Sequence, residues 1–241
     1  MKTIIPKDSQ LTFYLNVYQD VALLNECLKQ LRQVYPTSRL IIRSDGDDDP
    51  AIANVAIKYG GSCYYSQRLM ALAKGGQIVH EMLRLFLLQE TDYLFKIDPD
   101  TCVARKFHAL PDVACIFGRK QGCWTGEPVT LDSIQGGCIG VTLDVAKKFY
   151  TSNFFLDPAL GHCPPPWVIA PPLRRRPIEL GLTSIDWTIG WACKEMGIEV
   201  LDWAEIKSEW QIPPQNDDLQ YAVTHPHKLL PWEDHKRLNH S

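Results

Sequence analysis

Residues 93–100 read Tyr93-Leu94-Phe95-Lys96-Ile97-Asp98-Pro99-Asp100, and this stretch decides the fold. The apolar run 93–97, opened by the turn-like Glu90-Thr91-Asp92, has the β-formers of a buried strand. It ends in two carboxylates one residue apart. Open α/β sheets bind ligands outside the carboxyl ends of their strands, so Asp98 and Asp100 are aimed at a site just past the sheet edge. Two hard oxygen donors there suit Mg²⁺ or Mn²⁺, ions held by one or two carboxylates together with substrate phosphates. The competing reading is an Asx turn that closes the strand, because Asp and Pro are ordinary turn residues. Lys96, inside an apolar strand, calls for an ion pair with a nearby acid.

Upstream, residues 11–17 are a strand candidate. Asp20 is placed to cap a helix over 21–34 whose Leu24, Cys27, Leu28 and Leu31 share one face. Residues 39–43 form a second strand that runs into the acidic turn Ser44-Asp45-Gly46-Asp47-Asp48-Asp49. Pro50 opens a short helix striped with Ile52, Val55, Ala56 and Tyr59, and Gly60-Gly61 stops it. Residues 62–66 are a third strand. After Gly75-Gly76 a long helix carries Ile78, Val79, Met82, Leu83 and Phe86 on one side. Strands alternating with helices in this way predict a parallel α/β sheet over the first hundred residues. Downstream the pattern changes. Short strands are expected at 114–118 and 137–142, a helix at 144–150, an extended loop through the Pro-rich stretch 164–177, a helix at 186–196 and a strand at 198–201.

A chain of 241 residues has ample length for a substantial core, and no internal repeat or linker divides it, so one domain is expected. The formal charge of −3 supplies no basic field for nucleic acid. No apolar run approaches the length of a membrane span, and the N-terminus lacks the pattern of a signal peptide. Eight cysteines are scattered without a Cys-x-x-Cys pair, which reads as buried thiols in a reduced, cytoplasmic protein.

Four segments, taken in order, resemble the GT-A glycosyltransferases, most closely the fringe-like, inverting branch. Asp98-Pro99-Asp100-Thr101-Cys102-Val103 matches the branch's three-aspartate motif, with Pro99 in place of the middle acid. Gln135-Gly136-Gly137-Cys138-Ile139-Gly140-Val141 resembles its Gly-Gly-Ala-Gly segment. Asp186-Trp187-Thr188-Ile189-Gly190 resembles its catalytic Asp-x-Thr-hydrophobic-Gly stretch, although Ile185 replaces the usual preceding acid. His225-Pro226-His227 resembles its late His-x-His, whose first histidine binds metal. The resemblance implies a Rossmann-like mixed sheet flanked by helices in a single GT-A-like domain over 1–241. The nucleotide-sugar half would span about 1–104 and the acceptor side about 105–241.

It further implies a metal-dependent inverting transferase, hexosyl or N-acetylhexosaminyl, that uses Mn²⁺ or Mg²⁺. The expected donor is a UDP-sugar and the expected acceptor a carbohydrate or glycoconjugate. Asp98, Asp100 and His225 are the implied metal ligands, with His227 as fallback. Asp45, Arg68, Lys74, Asp98, Gly136 and Gly137 are the implied donor contacts, and Asp186 is the implied catalytic base.

The residue types fit those roles. A divalent ion neutralises a departing diphosphate as a Lewis acid, and an imidazole beside carboxylates favours Mn²⁺ over Ca²⁺. Inversion needs a carboxylate to take the acceptor proton. Gly136-Gly137 lets backbone approach a sugar closely. Each also has a plainer reading: histidines in a solvated tail, an acidic turn at Asp45, solvated charges at Arg68 and Lys74, an N-cap at Asp186, and a tight turn at the glycines. Trp187 stands where a ring could face a sugar, and Arg174-Arg175-Arg176 reads as a solvated basic loop, with contact to an anionic acceptor as the alternative. Two other functions remain open. A sugar nucleotidyltransferase would want a Gly-rich phosphate loop after the first strand, where Asn16-Val17-Tyr18-Gln19-Asp20 supplies none. A non-catalytic carbohydrate-binding protein would have no need of Asp98, Asp100, Asp186 and His225 together.

Overall fold

A computed structural model describes residues 1–46, 49–69, 74–124, 130–157, 184–208 and 220–225, without the side chains of 122–131. Its strands are β1 (Thr3–Ile4), β2 (Leu11–Val17), β3 (Arg39–Asp45), β4 (Ser62–Ser66), β5 (Tyr93–Ile97) and β6 (Cys102–Val103). They continue with β7 (Leu110–Pro111), β8 (Cys115–Trp124), β9 (Thr130–Thr142), β10 (Glu199–Asp202), β11 (Ile206–Lys207) and β12 (Val223–Thr224). The helices are α1 (Val21–Val34), α2 (Pro50–Lys58), α3 (Gly75–Leu87), α4 (Leu143–Ser152) and α5 (Ile185–Met196). The Pro-rich stretch, Arg174-Arg175-Arg176, Trp167 and His227 lie outside the described residues, and the side chain of Trp124 is not described.

Seven strands form one mixed sheet in the order β10-β8-β9-β5-β2-β3-β4. The pairs β5–β2, β2–β3 and β3–β4 are parallel, as the alternation of elements predicts. β9 then enters antiparallel to both β5 and β8, which makes the sheet mixed. Every residue of β5 is buried because both faces of the sheet are covered. Tyr93, Phe95 and Ile97 face one core with Leu24, Leu28 and Leu31 of α1. Leu94 faces the other with Ile78, Val79, Met82 and Phe86 of α3 and Ile185 and Ile189 of α5. Each such Leu, Ile or Phe, fully buried, stabilises the fold by about 1.5–3 kcal/mol. The helices on the two faces thus hold the carboxyl ends of β2, β3 and β5 in register along one edge.

Three strands run beyond their expected limits. β3 continues through Ser44 to Asp45, so Asp45 is the strand's last residue. β8 reaches Trp124 and β9 begins at Thr130, and together they form a long hairpin where short strands were expected. Cross-strand pairing, a long-range property, sets that length. Gly118 opposes Ile139 and Lys120 opposes Ile134, so β9 carries extra residues that bulge out as Gln135-Gly136-Gly137-Cys138. Gly118 permits the bulge: a side chain there would overlap Ile134 and the Cys138 carbonyl. α5 begins at Ile185 with Ser184 as its N-cap, which places Asp186 inside the first turn and corrects the N-cap reading. β10 is displaced by one residue, to Glu199–Asp202.

Of the eight cysteines, Cys27, Cys102, Cys115, Cys138 and Cys193 are free thiols among the described residues. Burial pushes Cys115 and Cys193 up to about 12 and raises Cys27 and Cys138 further, so these thiols stay protonated. Among the described residues no helix is long and apolar enough to cross a membrane.

Candidate active site

Beyond β5 the chain turns back on itself at once. The Thr101 amide donates to the Asp98 carbonyl at 3.0 Å, which closes a four-residue turn with Pro99 in its second position. Proline's fixed φ suits that position, which accounts for a proline between the two acids. The turn and the ligand site are therefore the same feature. Thr101, itself buried, accepts from the Asp98 amide through Oγ1 at 3.1 Å and donates to the Gly137 carbonyl at 2.7 Å. The turn is thereby locked against the β9 bulge.

Two residues after Asp100 the chain forms β6, which pairs antiparallel with β12: Cys102 opposes Thr224 and Val103 opposes Val223. The residue after β12 is His225. A two-residue ladder thus places the imidazole beside the turn despite 125 positions of separation in sequence. His225 Nε2 lies 2.8 Å from Asp100 Oδ1 and 3.5 Å from Asp98 Oδ2. The imidazole is 1% exposed, Asp100 16% and Asp98 30%, so the cluster opens on the carboxylate side. A ligand atom from each of the three residues lies within 4.8 Å of the others, and together they could hold a metal ion. The donor set of two carboxylates and one imidazole fits a divalent ion of the Mn²⁺ kind. A side chain at position 137 would overlap the His225 ring, so Gly137 makes the seat for the imidazole.

Buried polar groups brace the cluster. The expected ion pair of Lys96 is present: its ammonium, in a side chain only 6% exposed, donates to Asp98 Oδ1 and to the Gly136 carbonyl at 2.6 Å. Gln135 Oε1 accepts from the Gly137 amide at 2.9 Å and from the Ser208 hydroxyl, which ties the bulge to the segment after β11. Farther out, the Glu205 carboxylate accepts from the amides of His108 and Ala109 and from Arg105, while its carbonyl accepts from the amides of Ala222 and Val223. Burial opposes ionisation of Glu205, but the His108 amide, Arg105 and the Ala109 amide outweigh it and hold the carboxyl below its usual range. This clamp fastens the strand that presents His225.

Asp186 stands on the other side of the same bulge. A methyl group at Gly136 would come 3.7 Å from Asp186 Oδ2, an ordinary contact. Gln121 of β8 donates to Asp186 Oδ2 at 3.2 Å, and the buried Ser133 of β9 donates to the Asp186 carbonyl at 2.8 Å. The consecutive glycines Gly136 and Gly137 therefore lie against Asp186 and His225 respectively. Trp187 is half-buried beside Asp186, and Trp191 lies under the Lys194 ammonium.

The remaining expected donor contacts lie toward β3 and β4. Asp45 is buried, and its Oδ1 accepts from Arg43 at 2.8 Å and from the Leu69 amide at 2.7 Å. Arg43, fully buried, also donates to Asn16, Glu81 and Ser66, so it ties β2, β3, β4 and α3 together. Arg68 stacks its guanidinium over the Tyr18 ring at 3.4 Å, and Tyr18 packs against the place where Gly46 lacks a side chain. Lys74 is exposed at the N-cap of α3. No described contact joins Arg68 or Lys74 to the Asp98–Asp100–His225 cluster. Sequence reading missed Gln121, Ser133, Ser208 and the Arg105–Glu205 clamp, and gave Gln135 no role although it opens the Gly-Gly segment. The others lie at positions that carry no motif, and only the pairing of β8 with β9 and of β6 with β12 gives them a purpose.

No protein-family model matches the sequence, and no curated protein matches it. Among solved structures the chain is similar to the mannosyltransferase PcManGT from Pyrobaculum calidifontis, described in complex with GDP-Man and Mn²⁺. The identity is 12% and the TM-score 0.42, over 59% of this chain and 48% of that one. The chain thus matches about half the length of that structure.

Proposed function

We propose that the protein is a metal-dependent, inverting glycosyltransferase that moves a hexosyl or N-acetylhexosaminyl group from a nucleotide-sugar, a UDP-sugar in the first instance, to a hydroxyl acceptor. The observation that carries this reading is the convergence of Asp98, Asp100 and His225 at the carboxyl end of β5, where a mixed α/β sheet receives its ligands. Asp100 and His225 would hold a divalent ion, and Asp98, with Oδ1 engaged by Lys96, would offer Oδ2 to the ion or to the donor ribose. When bound, Mn²⁺ or Mg²⁺ supplies Lewis-acid neutralisation of the diphosphate.

Asp45 accepts from the Leu69 amide and so fixes the backbone beside Arg68. Arg68 and Lys74 provide positive charge on the donor side. The Gly136-Gly137 backbone approaches the sugar between the two acidic groups, Gly136 beside Asp186 and Gly137 under the His225 ring. Asp186 takes the proton of the acceptor hydroxyl as its oxygen attacks the anomeric carbon. The bond to the diphosphate breaks on the opposite face, so configuration inverts.

A nucleotide-release screen tests this directly. The full chain with Mn²⁺ would be offered UDP-glucose, UDP-galactose, their N-acetylhexosamine counterparts and GDP-mannose, with simple glycosides as acceptors. Release of the nucleoside diphosphate from at least one donor, abolished by chelator and restored by Mn²⁺, is expected. Release of pyrophosphate from a nucleoside triphosphate and a sugar phosphate instead would assign a nucleotidyltransferase.

A further inference from the structure

Among the described residues, one side chain donates to the Asp186 carboxylate, and no sequence motif marks it. Gln121 projects from β8 and places its amide Nε2 3.2 Å from Asp186 Oδ2, while the neighbouring backbone is pinned through Ser133. Gln121 and Ser133 are directly opposed in the β8–β9 ladder, so one cross-strand pair grips both the side chain and the carbonyl of the same residue. The first turn of α5 is thereby fixed to the sheet at the point nearest the β9 bulge. A carboxylate can be bonded through one oxygen and still present the other to an incoming hydroxyl.

We infer that Gln121 is a positioning residue for Asp186: by donating to Oδ2 it sets the rotamer of the carboxylate beside Gly136, so the base meets the acceptor hydroxyl in a single orientation. This rests on the reading of Asp186 as the base. The rotamer of a first-turn aspartate is otherwise set only by its helix, whereas general-base catalysis needs heavy atoms within about 3 Å in a productive line. Gln121 is uncharged, so it orients the carboxylate without forming an ion pair that would hold it away from a proton.

Several charged groups on the described surrounding elements are engaged elsewhere. On β8 and β9, Lys120 pairs with Asp132 at 2.8 Å, and Arg119 with Asp202 of β10 at 3.1 Å. On α3, Glu81 pairs with Arg43 and His80 stacks on Tyr150. Lys194 of α5 lies over Trp191, and Glu195 lies in the final turns of the same helix, away from Asp186.

The test is nucleotide release with the UDP-sugar found active, by the full chain as wild type, Gln121→Leu and Gln121→Glu. Turnover should fall roughly threefold to tenfold in Gln121→Leu with the donor KM unchanged. Gln121→Glu, which replaces the amide donor with a second carboxylate, should lower turnover at least as far. Unchanged turnover in both variants would overturn the inference, as would a loss seen in KM rather than kcat. An active Asp186→Asn enzyme would instead remove the base reading itself, so the two failures are distinguishable.

Discussion

The two acidic groups that flank Gly136-Gly137 are built to opposite specifications. On one side, Asp98, Asp100 and His225 converge from distant parts of the chain, and buried groups fasten them at every point: Lys96 on Asp98, Thr101 on the turn, Gln135 on the bulge, Glu205 on β12. On the other side, Asp186 comes from a single helix turn and its carboxylate has Gln121 as its described hydrogen-bond donor. The difference follows from what each site must tolerate. Ligands for a divalent cation repel one another until it arrives, so the scaffold must hold them together. A general base has to accept and release a proton, which a web of ion pairs would oppose.

The largest expected effect lies on the lightly held side. Asp186→Asn keeps shape and hydrogen bonding but removes basicity. It should cut turnover by roughly 10²–10⁴ while Mn²⁺ and nucleotide affinity stay near wild type. Equal losses in turnover and in donor affinity, measured by single-turnover kinetics and calorimetry, would show that the two sides are one site with one role.

The paired glycines sharpen the contrast. Gly137→Ala drives a methyl into the His225 ring and should weaken Mn²⁺ binding by about 10- to 100-fold, the range for disturbed support of a metal ligand. Gly136→Ala meets Asp186 only at ordinary contact distance and should leave Mn²⁺ affinity unchanged. Titration of Mn²⁺ into both variants checks the pair. Similar losses in the two would mean that the bulge acts as a whole and not residue by residue.

A smaller effect should come from the clamp behind His225. Glu205 is held below the usual carboxylate range, so its contribution is fully present above its unfolded value and is lost as pH falls through its lower folded value. Glu205→Gln should therefore lower Tm at pH 7 by about 2–4 °C, the shift that ~1 kcal/mol produces in a chain of this size. The gap to wild type should close as the pH is brought below the ordinary carboxylate range. A gap that does not change with pH in thermal melts would show that Glu205 acts by packing rather than by charge.

The sequence made the parallel half of the sheet readable because its strands and helices are long enough to show their periods. The run 93–97 and the α1 stripe of Leu24, Leu28 and Leu31 are examples. Asp98 and Asp100 were legible for the same reason, since a strand end fixes where its last side chains go. The two-residue strands β6 and β12 have no period at all, yet their pairing brings His225 to Asp100; only motif order pointed to it. The bulge at Gln135–Cys138 was hidden because it exists as a mismatch between β8 and β9, which neither strand contains alone. Gln121 was invisible for that reason as well. Asp45 was expected at the strand's end, where it runs into an acidic turn, but pairing with β4 carries β3 two residues further and buries its carboxylate against Arg43.

The central claim is that Asp98, Asp100 and His225 bind the metal on which donor recognition depends. Isothermal titration of UDP in the presence of Mn²⁺, into wild type and into Asp100→Ala with an unchanged circular dichroism spectrum, tests it most directly. The account predicts Mn²⁺-dependent UDP binding in the wild type and its loss in the variant. Undiminished binding of UDP and Mn²⁺ by Asp100→Ala would contradict it.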